Sequence, residues 1–192
     1  MYPMRTAKKN KGKSNLYDRF QTPAYAVLPL LPYIGSNQPI WEPACGVGNL
    51  VNAFISHGFL RVIGTDILTG DDFFGCAPKD EEIIVTNPPY SLKIEWIRRC
   101  YELGKPFALL LPMTVMEQAV CKMFDTHGIE LIIPYQRINF ETPSGEGSGA
   151  WFKCAWYCSG LNIGKQLTFV DLSKEKKAYE LGKKQALYES VL

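Results

Sequence analysis

The sequence predicts an α/β fold, a mostly parallel sheet with helices on both faces, and three observations predict it. Short apolar runs of strand length, such as Ile83-Ile84-Val85 and Phe107 to Leu111, alternate with longer stretches whose apolar residues recur at helical spacing. Glycine, proline and asparagine punctuate the boundaries between them. At 192 residues and 46% hydrophobic, the chain is long enough for one well-cored domain and too short for two ordinary ones. Strands interleaved with helices imply right-handed crossovers. Ligands in such sheets bind beyond the carboxyl ends of the strands, where the strand order switches.

The elements follow in chain order. After a polar arm, Thr22-Pro23 opens a helix over 24–31. A short strand covers 39–42, a helix capped by Asn49 runs over 49–57, and a second strand covers 61–65. The strand at 83–86 is followed by a helix over about 91–103, with Ile94, Ile97, Arg98 and Tyr101 at helical spacing. A fully buried strand at 107–111 ends at Pro112. A helix over 116–126 and strands at 129–133 and 151–157 complete the body, the last two closing as an antiparallel pair. Residues 141–149, with three glycines and two serines, read as a hairpin connection or a flap on the substrate side. Residues 173–192, rich in Lys and Glu with Tyr179 and Leu181 among them, read as a charged helix lying on the body or on a partner. The expected organisation is a basic arm at 1–15, a body at 16–170 and a charged helix at 171–192.

Composition narrows the classes. A charged share of 21% fits a soluble globular domain, and no apolar run is long enough to span a membrane. The N-terminal stretch is basic without an apolar core behind it, so no secretory signal is read and a cytoplasmic setting is expected. Cys45, Cys76, Cys100, Cys121, Cys154 and Cys158 form no C-x-x-C pair and are read as free, buried thiols. Cys154 and Cys158 would face one side of a sheet, but His57 and His127 stand in unrelated contexts, and no metal site is expected. The net charge of +2 is uneven, because Arg5, Lys8, Lys9, Lys11 and Lys13 concentrate positive charge in a segment without acids. Such an arm is a solvated tail or an element that finds phosphate backbones.

Asn87-Pro88-Pro89-Tyr90 stops an apolar run just where a strand would continue. The prolines fix their own φ and push Asn87 away from helical geometry. The segment is a plain turn or a slot. As a slot, the Asn87 amide oxygen, the Pro88 carbonyl and the Tyr90 ring would suit a planar amine. Upstream, Ile40 to Gly48 reads as a strand running into a glycine turn and a helix, and such a turn lets backbone approach a ligand closely. The third glycine of the dinucleotide fingerprint is missing. Asp66 ends the next strand, where an acid would hold ribose hydroxyls or cap the following turn. Asp71-Asp72-Phe73-Phe74, an acid followed by aromatics, could accept from an adenine amine and cover its ring.

These residues, in this order and at these strand ends, resemble a class I S-adenosylmethionine-dependent amino-methyltransferase of the DNA adenine-N6 type, over about 20–157. The resemblance implies an α/β, Rossmann-like, mostly parallel seven-stranded sheet with helices on both faces and a terminal antiparallel strand pair. It implies S-adenosyl-L-methionine as cofactor. Phe20-Gln21-Thr22-Pro23 matches the family's motif at the methionine end of the cofactor, which assigns Gln21, Thr22 and Pro23 to cofactor binding. Glu42-Pro43-Ala44-Cys45-Gly46-Val47-Gly48 matches its glycine-rich loop, with Glu42, Pro43, Ala44, Gly46 and Gly48 as cofactor residues. Asp66 with Ile67 matches the ribose-binding acid, and Asp72 with Phe73 the adenine-contacting pair. Asn87, Pro88, Pro89 and Tyr90 match the catalytic motif, Asn87 also lying against the cofactor and Tyr90 against the base. Arg137-Ile138-Asn139-Phe140 resembles a late motif that holds the flipped base, which adds Asn139 and Phe140 as substrate residues.

The resemblance implies direct in-line methyl transfer to an exocyclic amine. Because that nitrogen is inaccessible inside a duplex, the nucleotide must be flipped or single-stranded. The motif order resembles the subgroup with a C-terminal target-recognition domain, of which this chain has hardly any. DNA is the expected partner, and RNA stays open because a small body with a basic arm suits either. Enzymes that methylate protein glutamines share the four-residue motif but usually lack the Phe-Gln-Thr-Pro segment. A non-catalytic binding subunit, docked through the C-terminal helix to a partner or a second copy, is the reading from a different class.

Overall fold

The computed structural model of the chain describes residues 20–79, 82–141 and 152–189. The basic arm 1–15, most of the glycine- and serine-rich loop at 141–149, and Trp151 lie outside the described residues.

One sheet is built from β1 (Ile40–Glu42), β2 (Val62–Gly64), β3 (Ile83–Thr86), β4 (Phe107–Pro112), β5 (Glu130–Pro134), β6 (Cys154–Ser159) and β7 (Leu167–Val170). Their order across the sheet is β2-β1-β3-β4-β6-β5-β7. β6 runs antiparallel to β4 and β5. All other neighbours are parallel. The expected antiparallel pair is therefore β5 with β6, inside a mostly parallel seven-stranded α/β sheet.

Among the described residues, four α-helices accompany the strands: α1 (Asn49–Ser56), α2 (Lys93–Leu103), α3 (Gln118–His127) and α4 (Ser173–Glu189). Successive side chains of the buried strands divide between two cores, as the period of a strand requires. Ala108 and Leu110 of β4 join Tyr25, Val27, Phe54 and Trp156 on one face. Phe107, Leu109 and Leu111 join Trp96, Ile97, Val120 and Phe124 of α2 and α3 on the other. Every residue of β3 and β4 is buried, so both read as continuous apolar runs without alternation.

Several expectations are corrected. The helix expected at 24–31 is a 3₁₀ helix, Ala24–Tyr33, because Pro29 and Pro32 inside it cannot supply the amide donors of an α-helix. It is fastened to the sheet by Trp156, whose indole N–H donates to the Ala26 carbonyl at 2.8 Å. Asn49 does not cap α1. Gly48, at φ 85°, holds the cap position, and the Asn49 side chain donates instead to the Thr22 carbonyl at 3.2 Å. The strand expected at 151–157 begins at Cys154 and extends to Ser159, paired along its length with β4. β7 has no counterpart among the strands read from the sequence. Of the six thiols, all free, Cys100, Cys154 and Cys158 are buried, Cys45 and Cys76 are half-buried, and Cys121 is exposed. No helix among the described residues is long and apolar enough to cross a membrane.

Candidate functional site

The switch in strand order lies between β1 and β3. From β1 the chain moves outward to β2, then returns to β3 on the other side of β1. The two strands are parallel and in register at Ile40 with Ile83 and Trp41 with Ile84. The turn that leaves β1 and the segment Asn87 to Tyr90 that leaves β3 therefore emerge side by side at the carboxyl edge, where the fold favours ligands.

The turn after β1 is shaped by two glycines in left-handed conformation, Gly46 at φ 53° and Gly48 at φ 85°. Pro43 is buried, Ala44 half-buried, and Gly46 exposed. Gln21 lies over this turn. Its Oε1 accepts from the Val47 N–H at 3.3 Å, and a Cβ added to Gly46 would stand 2.9 Å from the same atom. Thr22 is buried and its carbonyl receives the Asn49 side chain, while Pro23 begins the 3₁₀ helix in extended geometry. Sequence-distant Gln21 is thus brought onto the glycine turn and Thr22 onto the start of α1, with Pro23 following them into the 3₁₀ helix. An isolated bridge to Glu141, two backbone hydrogen bonds of 2.9 and 2.8 Å, holds Gln21 from the other side.

Two buried acids stand behind the turn. Glu42 accepts from the Val51 N–H in the first turn of α1 at 3.1 Å. Burial pushes its carboxyl up to about 8, the Val51 hydrogen bond opposing this and the nearby Asp66 charge adding to it. Asp66 receives the Gly46 N–H on Oδ2 and the Leu68 N–H on Oδ1, each at 2.9 Å. Ile67, beside it, is exposed.

Asp72 caps its own turn by accepting from the Phe74 N–H at 3.0 Å. The Phe73 ring does not face outward to cover a ligand, as its place in the sequence suggested. It is 3% exposed and lies parallel to Trp96 at a centroid distance of 3.9 Å. Phe74 keeps the exposed ring of this pair.

At the end of β3 the side-chain oxygen of Asn87 is buried and has no hydrogen-bond partner among the described residues, and the same holds for the Thr86 hydroxyl before it. Pro88 is buried, and Pro89 and Tyr90 are half-buried. The Tyr90 ring stands edge-on against Phe140 and Phe152, with centroids 6.4 and 5.7 Å away, and its hydroxyl meets the Cys154 thiol at 3.5 Å. Burial, with Cys154 beside it, raises the phenol well above its ordinary range. Phe140 is therefore brought to the slot. Asn139 is not, because its side-chain amide donates to Glu180 of α4 at 2.8 Å and its backbone N–H to the Tyr25 hydroxyl at 3.0 Å. Phe152 and Cys154 were missed by sequence reading, and no local signal marks them, since only the pairing of β6 with β4 carries them to Tyr90. No group of three or more His, Cys, Asp or Glu residues that could hold a metal occurs among the described residues.

No protein-family model matches the chain, and no curated protein matches it. Among solved structures it is similar to a presumptive RNA methyltransferase from Pyrococcus horikoshii, with a TM-score of 0.53 and 14% identity over 79% of this chain and 90% of that one. It is also similar to the type IIG restriction endonuclease BpuSI, with a TM-score of 0.47 and 15% identity over 71% of this chain and 24% of that one. The first likeness shows a methyltransferase-type fold.

Proposed function

We propose that the chain is an S-adenosylmethionine-dependent methyltransferase acting on the N6 amine of adenine in DNA. The observation that carries this reading is the buried Asn87 Oδ1, an acceptor without a partner among the described residues, beside the half-buried Tyr90 ring and one strand away from a glycine turn. A buried polar atom left unpaired costs about 1–3 kcal/mol. An amine brought to it as substrate removes that cost.

The residues around the turn fit an adenosine-bearing methyl donor. Each Asp66 oxygen receives one backbone N–H and keeps a lone pair for a ribose hydroxyl. Gln21, Thr22 and Pro23 would hold the methionine end, Glu42, Pro43, Ala44, Gly46 and Gly48 the turn beneath it, and Asp66, Ile67, Asp72 and Phe73 the nucleoside. With its ring in the core, Phe73 would offer backbone.

Bound S-adenosylmethionine supplies a methyl group on a positively charged sulfur. The chain's own residues prepare the acceptor. An aryl amine is a poor nucleophile because its lone pair delocalises into the ring. Asn87 Oδ1 and the Pro88 carbonyl accept its two N–H groups and favour a pyramidal nitrogen, while Pro89 keeps the segment stiff. As the C–N bond forms and the C–S bond breaks, positive charge grows on that nitrogen beside fixed oxygens, which is electrostatic preorganisation with the sign reversed from an oxyanion hole. The proton then leaves to water. Tyr90 stacks on the base, with Phe140 and Phe152 fixing its ring, and the basic arm 1–15 supplies phosphate contacts.

The test is transfer of labelled methyl from S-adenosylmethionine to separate DNA, RNA and protein pools, with the products digested and identified. Label in N6-methyladenine of DNA is expected. Label confined to RNA moves the substrate to RNA and keeps the chemistry. Cofactor binding with no transfer to any pool replaces the enzyme by a binding subunit.

A further inference from the structure

We infer that α4 is a strap that sets cofactor affinity through Glu141, a positioning residue, an inference that rests on the functional reading above. Leu172, just before α4, and Lys176, Tyr179, Glu180 and Lys183 within it recur at the spacing of a single helix face. That face runs alongside residues 136–141. The Leu172 N–H donates to Gln136 Oε1 at 2.9 Å, and the Lys176 ammonium to the Arg137 carbonyl at 2.9 Å. Glu180 receives the Asn139 amide, and the Tyr179 hydroxyl and Lys183 ammonium both reach the Glu141 carboxylate. The Tyr25 ring stands edge-on to Tyr179 at 5.4 Å, joining the helix to the 3₁₀ segment that follows Pro23.

Glu141 passes this constraint on. Its backbone exchanges two hydrogen bonds with Gln21, whose side chain accepts from Val47 in the glycine turn. The route from α4 to the turn consists of direct contacts throughout. Burial acts to raise the Glu141 carboxyl, but hydrogen bonds from Lys183 and Tyr179 and the Lys183 charge outweigh it and bring the group below its ordinary value. An ionised Glu141 is what the clamp requires. The hydrogen bonds of this helix face fall on residues 136–141 and its ring contact on Tyr25, so its influence falls on the methionine end of the cofactor site.

The experiment measures S-adenosylmethionine binding to the full chain by titration calorimetry, together with turnover at saturating cofactor. Glu141→Gln, Lys183→Met and Tyr179→Phe are each expected to weaken binding about five- to tenfold while turnover at saturation stays within about twofold. Gln21→Ala weakens binding at least as much, and combining it with Glu141→Gln adds nothing further, since both interrupt one route. Lys183 lies on an exposed helix surface, so its variant reports even if Glu141→Gln fails to fold. Wild-type affinity in Lys183→Met and Tyr179→Phe, with Gln21→Ala still weakened, overturns the strap and leaves the functional reading standing. Multiplying losses in the Gln21/Glu141 pair overturn it too. A wild-type chain that binds no S-adenosylmethionine overturns both.

Discussion

The backbone N–H of Gly46 donates to Oδ2 of Asp66 at 2.9 Å, tying the turn after β1 to the end of β2. The other Asp66 oxygen is taken by Leu68, so one carboxylate organises two loops. An amide cannot replace it, because its NH₂ would face one of the two N–H donors. Asp66→Asn is therefore expected to lose roughly 1–3 kcal/mol of stability, read by denaturant unfolding. It should also bind S-adenosylmethionine at least about tenfold more weakly. A variant as stable and as tight as wild type would show that the carboxylate organises nothing.

Gly46→Ala confronts two obstacles. Alanine must adopt φ 53°, and its Cβ would meet Gln21 Oε1 at 2.9 Å. The left-handed backbone alone costs about 1–2 kcal/mol. Displacing Gln21 should weaken cofactor binding as well. Calorimetry of Gly46→Ala beside Gly75→Ala, a position whose nearest neighbour is an unstrained 3.6 Å away, separates the local effect from a general one.

Removal of the Asn87 oxygen is predicted to slow turnover by about 10²–10³ in Asn87→Ala, the range for loss of one preorganised polar group. Cofactor binding should change little. Single-turnover methyl transfer checks the first and calorimetry the second. Full turnover in Asn87→Ala would remove the proposed chemistry.

At Tyr90 the ring and the hydroxyl have separate roles. Tyr90→Phe loses only the 3.5 Å contact with Cys154 and should stay active. Tyr90→Ala loses stacking worth about 1–3 kcal/mol, seen as weaker substrate binding and slower transfer. Equal activity in the two variants would contradict a stacking role.

Glu42 imposes a pH dependence on folding. Its carboxyl is raised in the folded chain to about 8 from the ordinary value of 4.5. The folded state holds a proton there that the unfolded state has released, so stability from this group is complete below pH 4.5 and falls as pH rises toward 8. The full loss is on the order of 5 kcal/mol. Glu42→Gln should flatten that slope between pH 5 and 8 in melts of the two proteins. An unchanged slope would mean that Glu42 is ionised in the fold.

Much of this was legible in the sequence because the informative residues sit where strands end. The apolar run into Asn87-Pro88-Pro89-Tyr90 and the run into the glycine turn each announce a strand, a break and an acceptor, all local signals. What was hidden depends on distant partners. The Phe73 ring belongs to the core because Trp96 lies parallel to it, and nothing near Phe73 says so. Asn139 is drawn away from the slot by Glu180, a residue in a segment that reads only as charged surface. Leu167–Val170 is four residues long, alternately exposed and half-buried at the sheet edge, too short and too wet to stand out as β7. Asn49 looks like a better cap than glycine, yet the left-handed conformation at Gly48 decides the position.

The placement of β6 between β4 and β5 bears on how the chain acquires its shape. During synthesis, β1 to β5 emerge before the strand that joins the last of them to the rest, so β4 waits with an open edge until residues 154–159 are available. Sheet closure is a late, long-range event, the kind of contact that slows folding. A ribosome-bound chain halted before Cys154 would display that edge to chaperones, and release of the remaining segment would withdraw it.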